Sequence, residues 1–165
     1  MSDRVADQMA IRDLLARYCR GVDRLDADLI ASTYHPDAVD EHSTSGTYTG
    51  QTVGPGIVAL MRPSRFSVHT VMNQVVEIHD DDHAGSETYF SAWQTIPAGD
   101  GEQLLHALGR YVDLVERRAG EWRIARRTVV VDLVQRLPFD GASAGGGLGR
   151  RDHTDPSYAA LSPAR

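Results

Sequence analysis

Two ionisable side chains and a phenol stand where their types and spacing could do acid–base work. The run Tyr18-Cys19-Arg20-Gly21-Val22-Asp23 sets a phenol in the last turn of an expected helix and a carboxylate just beyond the glycine expected to end it. Such an Asp could orient and charge-stabilise a histidine across a cavity, while the Tyr donates a proton to a departing oxygen. The alternative is a core tyrosine followed by a loop aspartate. His69 is the second focus. A strand period of two puts His69, Val71, Asn73 and Val75 on one face. A histidine among valines needs a polar partner, and Asp23 could supply it. A carboxylate-oriented imidazole suits a general base, and the alternative is a structural or interface histidine.

Other polar residues carry weaker signals. Along the last apolar run, parity counted from Trp122 places Ile124, Arg126, Thr128, Val130 and Asp132 together. Arg126 or Arg127 could then reach inward, and Asp132 is either a pocket carboxylate or a strand-end cap, unless a β-bulge breaks the parity. Asn73, Tyr48, Trp93, Tyr111, Arg126 and Asp132 form the expected substrate-contacting set. Arg117 and Arg118 read as solvated strand ends. His79 and His83 flank three aspartates in an expected hairpin turn, a spacing that suits metal only on a helix. His35, His42, His106 and His153 have no clear ligand partner, so no metal site is expected. The Gly145–Arg151 run is glycine-rich and basic but lacks the strand and helix that make a phosphate loop.

Composition narrows the chemistry further. The chain has 165 residues with 17 basic and 23 acidic side chains, a formal charge of 17 − 23 = −6, and every basic residue is Arg. Without lysine there is no Schiff-base nucleophile and no Walker-type phosphate lysine. One cysteine, Cys19, makes neither an intrachain disulfide nor a Cys-rich zinc cluster. No dinucleotide fingerprint is recognisable, and no cofactor is expected. The acidic balance argues against a nucleic-acid partner, and no apolar run approaches the roughly 20 residues of a membrane span. Nothing near Met1 resembles an export signal, so a cytoplasmic protein is expected.

The elements that must position these groups follow from periodicity. Val5, Met9, Leu14, Leu15 and Tyr18 recur at helical spacing and predict a helix over about residues 4–20, with Gly21 as its stop. Asp26 caps a second helix that ends before Pro36. Residues 38–50 suggest a short hairpin, and Pro55–Met61 a third helix ended by Pro63. Four long runs follow, at about 67–79, 84–97, 103–118 and 121–137. The short connections between them require antiparallel pairing, so the class is α+β. Both faces of these runs are apolar, with Tyr89 and Trp93 on one side of the second and Phe90 and Ile96 on the other. Three helices cover one side only. The set Phe90, Ile96, Val112, Leu114, Val129, Val131 and Leu133 would then meet a second subunit, predicting a homo-oligomer.

A family resemblance rests on particular stretches. They are Ile11-Arg12-Asp13-Leu14-Leu15-Ala16-Arg17-Tyr18-Cys19-Arg20-Gly21-Val22-Asp23, Tyr34-His35-Pro36-Asp37-Ala38, Phe66-Ser67-Val68-His69, Gly109-Arg110-Tyr111 and Glu116–Ile124. Together they resemble the SnoaL-like family of the nuclear-transport-factor-2-like superfamily over nearly residues 5–137. The resemblance implies a cone-shaped α+β barrel, with a curved, mostly antiparallel sheet wrapped around N-terminal helices and an internal apolar pocket. The barrel domain would take residues 1–137, and the Gly/Ala/Pro-rich composition of 138–165 reads as a tail or lid. The resemblance points to the cofactor-free lyases of the superfamily: scytalone dehydratase, bile acid 7α-dehydratase and hexachlorocyclohexane dehydrochlorinase. Their aspartate–histidine dyad falls on Asp23 and His69, and the tyrosine of the bile acid enzyme falls on Tyr18. The implied function is elimination from a small hydrophobic cyclic or aromatic substrate by a dimer or trimer. The alternatives are an isomerase or cyclase of the same superfamily, or a non-catalytic binding module.

Overall fold

The structure, a computed structural model, describes residues 4–42, 45–140 and 149–161. Helix α1 spans Arg4–Arg24, α2 Ala27–Ser32 and α3 Val53–Met61; a short α4, Pro156–Leu161, follows the sheet. Six strands, β1 Tyr34–His42, β2 Gly46–Thr49, β3 Ser67–Ile78, β4 His83–Ala98, β5 Gly101–Arg118 and β6 Glu121–Pro138, make one sheet ordered β2-β1-β6-β5-β4-β3. All neighbours are antiparallel except β1 and β6. The sheet is curved and open, with β2 and β3 as its edges. Its concave face and the three N-terminal helices enclose the core, where Ile11, Leu14, Leu15, Ile30, Val53 and Ile124 are excluded from water.

The expected stop at Gly21 is not where α1 ends. The helix runs three residues further, and Leu25, at φ 55°, takes the left-handed position instead. Glycine is needed at 21 for a different reason: a Cβ there would stand 2.8 Å from Ile30 Cγ1, so its absence lets α2 fold back against α1. The consequence for the site is direct, because Asp23 lies in the last helical turn rather than in a loop. Asp26 caps α2 by accepting from the Leu29 N–H at 2.9 Å. At the other end of α1, Asp7 accepts from Arg117 Nη1 at 2.8 Å and from Trp122 Nε1 at 2.9 Å. Arg117 is therefore a pin between helix and sheet, not a solvated strand end.

Three β-bulges shift which side chains face inward. In β3 the register gains a residue between Val71 and Gln74; His69 and Val71 point to the concave side, as do Gln74, Val76 and Ile78 beyond the bulge. In β6 one extra residue lies between Ile124 and Arg126 and another between Val131 and Leu133. The first exchanges Arg126 for Arg127 on the concave face. Gly109 faces the second, and its missing side chain admits both the Val130 carbonyl oxygen and the Phe90 ring, which a Cβ would meet at 2.2 and 2.8 Å.

The convex face is only partly as expected. Val68, Met72, Val75, Tyr89, Val112, Leu114 and Leu133 are exposed there, but Phe90 and Val129 belong to the core, and Ile96 and Val131 line a cavity. Gly109→Ala should destabilise the fold by about 1–3 kcal/mol through overpacking, read as a lower urea midpoint with an unchanged slope.

Candidate active site

A cavity of about 770 Å³ opens between the concave face of the sheet and helices α1 and α3. Ile57, Leu60, Met61, Phe90, Ile96 and Leu105 supply its apolar wall, and Tyr18, His42, Ser64, His69, Gln94, Tyr111 and Arg136 its polar points. This composition suits a small apolar molecule held by a few placed polar groups.

His69 and Asp23 meet at that wall. The Nδ1 of His69 lies 2.7 Å from Asp23 Oδ1, and the backbone N–H of His69 donates to Oδ2 at 3.0 Å. Ser67 Oγ also donates to Oδ1, at 3.0 Å. The last turn of α1 thus delivers a carboxylate to the start of β3, where it is satisfied on both oxygens. With Nδ1–H donating to the carboxylate, the tautomer is fixed and Nε2 carries the free lone pair. Among the described residues Nε2 has no protein partner. This geometry suits a general base.

Tyr18 and Tyr111 border the same cavity. Tyr111 stacks on Phe90 with centroids 4.5 Å apart and meets Tyr18 edge-on at 5.6 Å. Between the two tyrosines lies Arg127, fully buried, 4.3 Å from each ring centroid. Its Nε and Nη2 each donate to Asp113 at 2.8 Å, and Nη1 donates to Tyr34 Oη at 3.1 Å. Tyr34 in turn donates to Asp40 Oδ2 at 2.5 Å, and Asp40 Oδ1 lies 2.7 Å from His42 Nδ1. Burial pushes the phenols of Tyr18, Tyr34 and Tyr111 well above their ordinary range, against the opposing pull of Arg127. Burial also works to raise Asp40, but the hydrogen bond and charge of His42, with Arg127 and Tyr34, hold its carboxyl below the ordinary value. Cys19 is buried and its thiol is pushed up to about 12, which leaves it protonated and unreactive.

The remaining expected contacts separate. Asn73 is exposed, because the bulge after Val71 turns it away from the cavity. Trp93 lies on the convex face, stacked on His106 at 3.9 Å. Arg126 is exposed and pairs with Glu41 at 2.8 Å. Asp132 occupies the second β6 bulge and pairs with Arg110 at 3.2 Å on the convex face. Tyr48 stands behind His42, edge-on at 6.2 Å, and is not a lining residue. Sequence reasoning missed His42, Ser67 and Arg136, and of Arg126 and Arg127, either of which could reach inward, it placed Arg126 in the contact set where the structure turns Arg127 inward. The apolar alternation gave one signal: Trp122 and Ile124 are even-numbered, whereas the inward Val129 and Val131 are odd. Among the described residues no group of three or more His, Cys, Asp or Glu side chains gathers as a metal cluster.

The C-terminal segment, residues 149–161, lies against the site. Most of the Gly-rich run, residues 141–148, lies outside the described residues, but Arg151 donates from Nε to the Asp23 carbonyl at 3.1 Å and from Nη1 to the carbonyls of Met61, at 3.0 Å, and Ser64, at 2.5 Å. Tyr158 of α4 donates to Asp26 Oδ2 at 2.7 Å and Arg20 to Ser157 Oγ at 3.2 Å.

These features define a cone-shaped α+β fold of the nuclear-transport-factor-2-like type with a hydrogen-bonded aspartate–histidine pair on its cavity wall. The SnoaL-like domain family matches residues 3–128, and the chain belongs to that family. No curated protein matches it. Among solved structures it is similar to a type 2 hexachlorocyclohexane dehydrochlorinase, LinA, at 23% identity and a TM-score of 0.79, covering 87% of this chain and 97% of that one. A type 3 LinA from Novosphingobium barchaimii is 23% identical with a TM-score of 0.75, over 85% and 94%. A putative scytalone dehydratase from Novosphingobium aromaticivorans is 16% identical with a TM-score of 0.71, over 87% and 96%.

The buried phenols give a pH test. Because their folded pKa values are raised, the stability they contribute is complete below about pH 10 and is lost as pH rises through the higher folded values. In an alkaline titration, Tyr18, Tyr34 and Tyr111, three of the six tyrosines, should yield phenolate absorbance only as circular dichroism reports loss of the fold.

Proposed function

We propose that this protein is a cofactor-independent lyase that eliminates water or another small fragment from a small hydrophobic cyclic or aromatic molecule. The observation that carries this reading is the 2.7 Å contact between His69 Nδ1 and Asp23 on the wall of the cavity. His69 Nε2 takes a proton from a carbon made acidic by a neighbouring carbonyl or ring. Asp23 holds the tautomer and stabilises the imidazolium, with Ser67 fixing the carboxylate. Tyr18 hydrogen-bonds an oxygen of the substrate. The names of the solved neighbours, a dehydrochlorinase and a putative scytalone dehydratase, fit the same class of reaction.

The test is a set of β-hydroxy and β-halo carbonyl compounds on small rings, read by the absorbance of the new conjugated double bond. His69→Gln should lower turnover by about 10²–10⁴-fold, the usual contribution of a general base, with circular dichroism unchanged. Asp23→Asn should lower it while shifting the acid limb of the rate profile. Ligand binding insensitive to His69→Ala, with no turnover of any compound, would overturn the lyase reading in favour of a binding module.

The exposed Val68, Met72, Val75, Val112, Leu114 and Leu133 of the convex face support a homo-oligomer, dimer or trimer, as the working form. Light scattering at micromolar concentration should give a mass at least twice 18.1 kDa; the monomer mass would refute it.

A further inference from the structure

The cavity holds a second imidazole backed by a carboxylate. His42, at the end of β1, lines the cavity, with its Nδ1 2.7 Å from Asp40 Oδ1. Only 15% of the His42 side chain is exposed, and none of Asp40. As at His69, this contact occupies Nδ1 and leaves Nε2 without a protein partner among the described residues. Asp40 is itself held by the Tyr34 hydroxyl, which is held by Arg127. The relay ends at a buried ion pair, so the imidazole is fixed from behind by a chain that spans the core.

The charge balance differs between the two pairs. Around His42 the buried charges are Asp40 and Asp113, both negative, and Arg127, positive, leaving one negative charge over. That excess negative charge stands directly behind the His42 ring, placed to stabilise positive charge on it. Around Asp23 the guanidinium of Arg151 is already present, donating to the Asp23 carbonyl and felt by its carboxylate. Arg151 thus offsets the Asp23 charge, whereas Asp40 has only the Arg127 that is already paired with Asp113. The other ionisable groups about His42 are Tyr48 behind it and Tyr18, His69, Tyr111 and Arg136, which line the same cavity.

We propose that His42 is the proton donor of the site and that the leaving group is an oxygen that must be protonated to depart. The inference rests on His69 acting as the base. In the step, the C–H bond breaks as His69 Nε2 takes the proton, and its electron pair forms the C=C bond. The C–O bond breaks with its pair going to oxygen, and that oxygen takes the proton from His42 Nε2, releasing water. Solvent then removes the proton from His69 and returns one to His42. Tyr18, whose phenol burial makes a weaker acid, is left to bind the oxygen of the activating group. Asp40, Tyr34 and Arg127 are positioning residues.

Two arms test this with the full-length protein and with His42→Gln and His69→Gln, each verified by circular dichroism. The first measures binding of para-nitrophenol, whose yellow phenolate is a stand-in for a developing oxyanion. His42→Gln should weaken phenolate binding about tenfold more than His69→Gln, because a charge-assisted hydrogen bond is lost. Equal weakening, or no phenolate binding by the unaltered protein at millimolar probe, overturns the proposal. The second compares elimination from the benzaldehyde–acetone aldol with that from its β-chloro counterpart; both yield benzylideneacetone, but chloride leaves without a proton. His42→Gln should lower the aldol-to-chloride rate ratio about 100-fold, whereas His69→Gln should lower both rates together. A constant ratio in His42→Gln overturns the role of His42. Two normal rates in His69→Gln overturn the base instead, and the phenolate arm then judges His42 alone. If the unaltered protein eliminates from neither compound, the phenolate arm is again decisive.

Discussion

The interior of this molecule is arranged around a guanidinium that reaches no water. Arg127 is completely buried, and such a charge is tolerated only when its donors are taken up and its charge is matched. Asp113, on the neighbouring strand, takes two of its N–H groups in a bidentate pair, and Tyr34 of β1 takes a third. The rings of Tyr18 and Tyr111 close over it on either side. Helix α1 and strands β1, β5 and β6 are thereby tied to one point. Removing one partner of such a pair costs about 3–5 kcal/mol, although replacing the whole arrangement by apolar groups can be neutral. Its worth is therefore geometric. It fixes the rings that floor the cavity and, through Tyr34 and Asp40, the imidazole of His42.

That arrangement depends on backbone irregularities more than on composition. A perfectly regular β6 carrying Ile124 inward would also carry Arg126 inward and leave Arg127 in solvent. One extra residue after Ile124 reverses this. The bulge in β3 similarly keeps His69 on the concave side while turning Asn73 out, and the parity change at the first β6 bulge puts Asp132 on the convex face beside Arg110. Bulges bend the strands that carry them, so the curvature that makes a cavity and the parity changes that select its lining share one cause.

The Asp23–His69 pair is built by a different logic. Its carboxylate arrives from a helix end and its imidazole from a strand start, and neither element is held to the other by the sheet ladder. Three hydrogen bonds from Ser67 and His69 close that gap. Arg151 then joins the Asp23 carbonyl to those of Met61 and Ser64, drawing the end of α1 toward the segment that follows α3. With the α4 contacts to Asp26 and Arg20, the C-terminal segment becomes part of the structure that steadies the Asp23–His69 pair.

Periodicity and punctuation in the sequence are local quantities, and they determined what is local. The four long strands, the cap at Asp26, the helix before Pro63 and the α+β class follow from alternation, turn residues and proline, all acting within a few positions. Tyr18, Asp23 and His69 were legible because a polar group among apolar neighbours must find a partner, and the family resemblance marked the same positions. What the sequence left open was decided by contacts between distant segments. Gly21 has the composition of a helix stop, yet Ile30, nine positions on, requires its bare Cα inside the helix. Arg126 and Arg127 are adjacent and chemically identical, so no propensity distinguishes them; only a register set by pairing with β5 buries one and exposes the other. Asp40 and His42 share one face of β1 by simple alternation, but their bond matters only because the sheet curls and brings that face to the cavity. Alternation sets Trp93 opposite Phe90, and only the direction in which the sheet curls puts Phe90 at the cavity and Trp93 on the convex side.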